Sequence, residues 1–171
     1  MTAEEFWRLP GSVKRRSLVR GEVVETMPPG GRHGVLALEV SIRLHEWATN
    51  GPGGSVGVES GFFLNRNPDT VRGPDVFYVG PERVPDTGVP EAFWNVAPDL
   101  AAEIVSPGER ADDVRDYLAA GTRLVWLVYP RTREVVVFTP DGLARTYGDG
   151  DSLEGFEALP GFGCAAAGLF S

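Results

Sequence analysis

The run Leu100-Ala101-Ala102-Glu103-Ile104-Val105, followed after a helical segment by Leu124-Val125-Trp126-Leu127-Val128-Tyr129, decides the fold class of this chain. Both runs are short and apolar, as expected of strands covered on both faces of a sheet. Residues 109–120 between them read as a helix closed by Gly121 at its C′ position. A strand-helix-strand unit of this kind predicts a right-handed parallel crossover.

The elements before this unit have a different rhythm. Residues 55–64 and 71–79 read as two strands joined by the polar turn Asn65-Arg66-Asn67-Pro68-Asp69. Ahead of them, Leu36, Val40, Leu44 and Trp47 form one helical stripe over residues 33–48, broadened by Val35, Leu38 and Ile42. Asn50-Gly51-Pro52-Gly53-Gly54 stops that helix. Thr2-Ala3-Glu4-Glu5 reads as a capping box opening a short helix to about Leu9, and residues 18–27 alternate weakly as a strand. A Pro- and Gly-containing loop covers residues 80–97, and residues 134–139 and 143–147 read as a hairpin around Pro140-Asp141-Gly142. The expected architecture is α/β, or α+β-like: a mixed central sheet flanked by helices, with extra strands at both ends.

At 171 residues and 42% hydrophobic, the chain suits one domain spanning residues 1–171 with one sizeable core. The longest strongly apolar run, residues 124–129, is far short of the roughly 20 residues of a membrane span, and the acidic start does not read as a secretory signal. Cys164 stands alone, which excludes an intrachain disulfide and suits a reducing cytoplasm. With His33 and His45 the only histidines, no zinc-ligand spacing exists. The net charge of −8 argues against a protein that coats nucleic acid through a broad basic surface.

Two carboxylates stand in unfavourable company. Asp75 follows Pro74 and precedes Val76-Phe77-Tyr78-Val79, and Glu103 interrupts the apolar run that opens this section. A carboxylate in a short apolar strand is costly unless paired, hydrogen-bonded or bound to a cation. A lone case is as often a residue on a solvated strand edge. Two of them at the ends of neighbouring strands favour a shared site. Asp75, Glu103, the Ile104 carbonyl and Glu59, a nearby third acid, would together offer hard oxygen ligands to Mg²⁺ or Mn²⁺. Such a cation lowers the pKa of a bound water and offsets charge developing on a phosphate.

Arg72-Gly73-Pro74-Asp75-Val76 and Asp99-Leu100-Ala101-Ala102-Glu103-Ile104-Val105-Ser106-Pro107 resemble the Uma-type family of restriction-endonuclease-like proteins. Thr2-Ala3-Glu4-Glu5, Gly21-Glu22-Val23-Val24-Glu25, Arg32-His33-Gly34, Tyr117-Leu118-Ala119-Ala120-Gly121, Val125-Trp126-Leu127-Val128 and Leu159-Pro160-Gly161-Phe162 extend the resemblance over nearly the whole chain, in order. The resemblance implies a PD-(D/E)XK nuclease fold, a divalent metal, DNA as substrate and, often, a homodimer. Asp75 then stands for the first acid and Glu103 for the second, with Glu59 beside them. His33 matches a recurrent family histidine, although such a residue at a helix start is as readily explained by a bond to nearby backbone.

The chain departs from that pattern in its cations. The motif lysine two residues after the second acid, on the same strand face, is replaced by Val105. A family variant carries the lysine on the following helix, where this chain has Asp113, and Lys14 is the only lysine present. Arg110 or Arg115 could project toward the site, and we take Arg115 as the candidate catalytic cation; an arginine stabilises phosphate charge but cannot act as a base. Ser17 stands where the family usually has an acid. The expected function is therefore a metal-dependent DNA endonuclease. The alternative is a catalytically silent binding or assembly protein on the same fold, since fold alone never guarantees activity. A carboxylate-based sugar hydrolase is formally open, with nothing further in the sequence to support it.

Overall fold

The computed structural model describes residues 1–12, 14–107 and 113–171. Helix α1, Ala3–Trp7, opens with the expected capping box: Glu5 N–H donates to the Thr2 hydroxyl, and Thr2 N–H to the Glu5 carboxylate. The strand expected over residues 18–27 is instead a hairpin, β1 (Arg15–Val19) and β2 (Glu22–Thr26). Arg20 and Gly21 take φ values of 50° and 80°, the geometry of a two-residue hairpin turn. An arginine at the first of those positions gives no sequence signal for it.

Helix α2 runs Gly31–Asn50 and buries His33, Leu36, Val40, Leu44 and Ala48. Trp47 is only partly buried, and its indole N–H donates to the Pro160 carbonyl at 3.0 Å. Val35, Leu38 and Ile42 do not broaden the buried stripe: all three are exposed.

The two long strands expected next each break in the middle. Residues 55–64 become β3 (Ser55–Val58) and β4 (Phe62–Asn65), while residues 71–79 become β5 (Thr70–Arg72) and β6 (Val76–Val79). Glu59, at φ 51°, turns the first corner, and Gly73-Pro74 the second. β4 and β5 therefore join the N-terminal hairpin in a four-stranded sheet, β2-β1-β5-β4. The other halves enter a six-stranded sheet with β7 (Leu100–Ile104), β8 (Leu124–Tyr129), β9 (Glu134–Phe138) and β10 (Ala144–Tyr147), in the order β10-β9-β8-β7-β6-β3.

Within the six-stranded sheet, β7 and β8 are parallel and every other neighbouring pair is antiparallel, so the sheet is mixed as expected. Helix α3, Val114–Ala119, connects the parallel pair. Its expected first turns at residues 109–112 lie outside the described residues, and Gly121 follows it at φ 98°. A two-stranded ribbon, β11 (Ser152–Glu154) with β12 (Gly163–Ala165), and a 3-10 turn at Ala166–Leu169 end the chain.

Strand alternation divides the core. Leu100, Ala102, Ile104, Leu124, Trp126 and Val128 pack under α2 and the C-terminal residues. Ala101, Val125 and Leu127 face the other way, toward α3, Phe62 and Trp94. Trp94 anchors the 80–97 loop by stacking on Phe62 at 5.8 Å, while Arg83 is tied to the Ala97 carbonyl, so this loop is pinned to the domain. Among the described residues no helix is long and apolar enough to cross a membrane.

Candidate active site

The sheet register explains why two acids distant in sequence meet. Val76 pairs with Ala102, and one further step along this antiparallel register sets Asp75 opposite Glu103. On the other side the Val58–Val76 pairing gives way at Glu59, whose N–H donates to the Pro74 carbonyl, so Glu59 stands at the corner after β3 and out of register with Asp75. Asp75 and Glu103 thus form a row at the end of the β6–β7 pair, with Glu59 at the neighbouring corner where the two sheets part.

Asp75 is the best-held of the three, with only 4% of its side chain exposed. Its Oδ2 accepts from the Ile104 amide at 2.7 Å and lies 3.0 Å from His33 Nε2. Arg15 Nη2 stands 2.8 Å from Oδ1, an ion pair by distance, yet the approach is not aligned as a hydrogen bond. Burial alone would raise the Asp75 pKa, but the His33 bond, the Ile104 amide and the Arg15 charge together hold it below the usual aspartate value.

Glu103 is partly buried on the α3 face of the sheet. Tyr117, itself fully buried, donates its hydroxyl to Glu103 Oε1 at 2.9 Å. Glu103 Oε2 takes a long contact of 3.4 Å from the Asp75 amide. Burial, then the charges of Asp75 and Asp113, push the Glu103 pKa well above the ordinary glutamate value, and these outweigh the Tyr117 bond. One acid is therefore kept as an anion and its neighbour is biased toward the neutral acid, as expected for carboxylates sharing a site.

The remaining expected residues are placed less evenly. Glu59 is largely exposed and reaches only the outer side of Arg15, at 3.8 Å. Ile104 enters the site through its amide, which serves Asp75. Val105 packs against the apolar cluster of Val114 and Tyr117, so the motif-lysine position carries no charge. Arg115 is exposed on α3. Helical geometry sets it about 200° around the axis from Tyr117, away from the hydroxyl that meets Glu103. Arg110 lies outside the described residues.

Sequence reading missed two cations. Arg15 comes from β1, in the other sheet, and its position follows only from the pairing of β1 with β5. Arg72 was visible as part of the motif around Asp75, but its role was not. It closes an ion-pair cluster with Asp113 at 2.8 Å and Asp116 at 2.7 Å, which ties β5 to α3 beside Tyr117.

Oxygen atoms with capacity for a further cation are present. Asp75 Oδ1 has the Arg15 charge beside it but no aligned donor, and Glu103 Oε2 takes, among the described residues, a single long contact from the Asp75 amide. Among the described residues no group of three or more His, Cys, Asp or Glu side chains stands close enough to hold a metal. Two carboxylates with water completing the shell suit Mg²⁺, which commonly keeps several waters, better than a closed protein cage. The donor set fits a hard divalent ion.

A family model described as "Uma2: Putative restriction endonuclease" matches residues 3–167. No curated protein matches the chain significantly. Among solved structures, a crystal structure of a putative nuclease belonging to DUF820 from Anabaena variabilis ATCC 29413 is similar, with a TM-score of 0.86. The match covers 99% of this chain and 97% of that one at 20% sequence identity, a level at which the likeness is one of fold.

Proposed function

The chain belongs to the Uma2 family of putative restriction endonucleases, and on that premise we propose that it is a metal-dependent phosphodiesterase acting on DNA, with Asp75 and Glu103 as the metal-binding pair. The observation that carries this reading is the pairing of the two acids across β6 and β7, with Glu103 Oε2 3.4 Å from the Asp75 amide. Glu59 and the Ile104 carbonyl are the further oxygen donors of this reading. Mg²⁺ or Mn²⁺ bound there supplies a water of lowered pKa and an electrostatic partner for the phosphate.

The chain's own residues prepare that step. His33 and the Ile104 amide fix the Asp75 carboxylate as an oriented anion. Tyr117 orients Glu103, whose carboxylate would be the second acidic ligand to the cation. Arg115, on the outer side of α3, is set aside as the catalytic cation. The test is incubation of purified protein with supercoiled plasmid and Mg²⁺ or Mn²⁺. Nicked or linear product, lost in Glu103→Gln, is expected. Intact plasmid after long incubation with either metal would overturn the reading.

Two observations favour a second reading, a silent relative that binds or assembles without cutting. Asp75 is already charge-balanced by Arg15 without a metal, and Val105 leaves the motif-lysine position apolar. Under that reading Glu103→Gln changes only stability or metal affinity. A homodimer, implied by the family resemblance, belongs to either reading and is tested by light scattering on the purified chain.

A further inference from the structure

Among the described residues, Arg72 and Arg15 are held in ion pairs beside the acid row, and they differ. Arg72 has 12% of its side chain exposed and is engaged by two aspartates. Arg15, with 28% of its side chain exposed, reaches into the row from the neighbouring sheet and lies between Asp75 and Glu59. Among the described residues it is the arginine paired directly with one of the proposed metal ligands.

We infer that Arg15 is the cation of this site, supplying from β1 the positive charge that the motif lysine would supply from β7. This rests on the phosphodiesterase reading. Arg15 faces the acid row, is partly open to solvent, and holds Asp75 Oδ1 by charge without an aligned hydrogen bond. A guanidinium so held keeps donors free for a phosphate oxygen, which it can engage through more than one N–H. Its role is to bind and stabilise phosphate charge, and it takes no proton from water. The same position makes it a competitor for Asp75: a divalent ion arriving at the acid row meets a positive charge already there.

Two opposite effects therefore attach to one side chain. Removing Arg15 should strengthen metal binding and weaken DNA binding. The experiment compares wild type, Arg15→Met and Arg15→Lys, each checked for folding by circular dichroism. Mn²⁺ affinity is read by calorimetry, and affinity for a short DNA duplex is read in Ca²⁺, which holds the oligonucleotide with little cutting. Arg15→Met should bind Mn²⁺ about tenfold more tightly, the size expected for one like charge removed from a partly solvated site a few ångströms away. Its DNA affinity should fall about tenfold, and any cleavage in Mg²⁺ by about a hundredfold, as for the loss of one preorganised donor to a phosphate. Arg15→Lys should keep both affinities near wild type. Unchanged or weaker Mn²⁺ binding in Arg15→Met, unchanged DNA affinity, or a lysine variant behaving like the methionine one would overturn the inference. If Arg15→Met fails to fold, Arg15→Gln takes its place under the same criteria. A wild type that binds DNA and shows these shifts but never cuts would sink the phosphodiesterase reading and leave Arg15's role in binding standing.

Discussion

Replacing each of the paired acids by its amide should move stability in opposite directions, although both are proposed to hold the same metal. Asp75→Asn keeps the shape but discards the charge that three partners are arranged around. The Ile104 amide at 2.7 Å and His33 at 3.0 Å would bond to a neutral oxygen in place of an anion. Bonds to a charged group contribute about 1.5–3 kcal/mol against about 0.5–1.5 for neutral ones, so the two together lose about 2–3 kcal/mol. The Arg15 pair adds less than a fully buried pair would, because 28% of that side chain is exposed and water re-solvates it. A total near 3 kcal/mol corresponds to about 6–12 °C in melting temperature for a chain of this size.

Glu103→Gln removes a carboxylate whose charged form is disfavoured by burial and by the charge of Asp75, and the amide can still bond the Tyr117 hydroxyl and the Asp75 amide. It should be neutral to about 1 kcal/mol stabilising, the scale of relieving one strained polar group. The pH dependence has matching signs. Asp75 has a lowered folded pKa, so its contribution is present above the ordinary aspartate pKa and is lost as pH falls through the folded value. Glu103 has a raised one, so its contribution is present below the ordinary glutamate pKa and is lost as pH rises through the folded value. Urea denaturation followed by tryptophan fluorescence, in EDTA at pH 4.5 and pH 7, reads both variants. Asp75→Asn should lose most at pH 7, and Glu103→Gln should gain most there. Equal losses in the two variants, or an Asp75→Asn protein as stable as wild type at pH 7, would refute the assignment of the charge to Asp75.

Tyr117→Phe should cost about 1 kcal/mol by leaving Glu103 Oε1 without its 2.9 Å donor, measured by thermal denaturation. Arg72→Met should cost about 2–4 kcal/mol, since it removes a largely buried guanidinium that pairs with both Asp113 and Asp116, and a double-mutant cycle with Asp116→Asn should recover part of the loss. Gly155→Ala should destabilise by about 2–3 kcal/mol, because a methyl there overlaps the Leu159 carbonyl, and backbone yields less readily than a side-chain tip; urea midpoints check it.

Much of the fold was legible because local physics decides it. The capping box at Thr2 and Glu5 forms from contacts three residues apart, the stripe Leu36, Val40, Leu44 is a helical period, and the apolar runs in β7 and β8 are buried on both faces. The same reasoning failed where burial depends on a neighbour. Val35, Leu38 and Ile42 have the right spacing for a broad apolar face, but the sheet covers only the stripe beside them. The corner at Glu59 was hidden because β-compatible residues continue on both sides, whereas Gly73-Pro74 is itself a breaker signal in the sequence, which marks a turn without telling that the strand changes sheet there.

For the site itself, the amino-acid sequence alone singled out Asp75 and Glu103, since a carboxylate inside an apolar strand needs a partner wherever that strand ends up. It determined neither how the partners are shared nor where the cation comes from. The register of β6 on β7 sets the acids face to face, and the packing of α3 brings Tyr117 to one of them. The pairing of β1 with β5 delivers Arg15 to the other. Those contacts join segments far apart along the chain, and an ion pair between them leaves no period or spacing in the sequence: only the folded backbone supplies the distance over which charge acts.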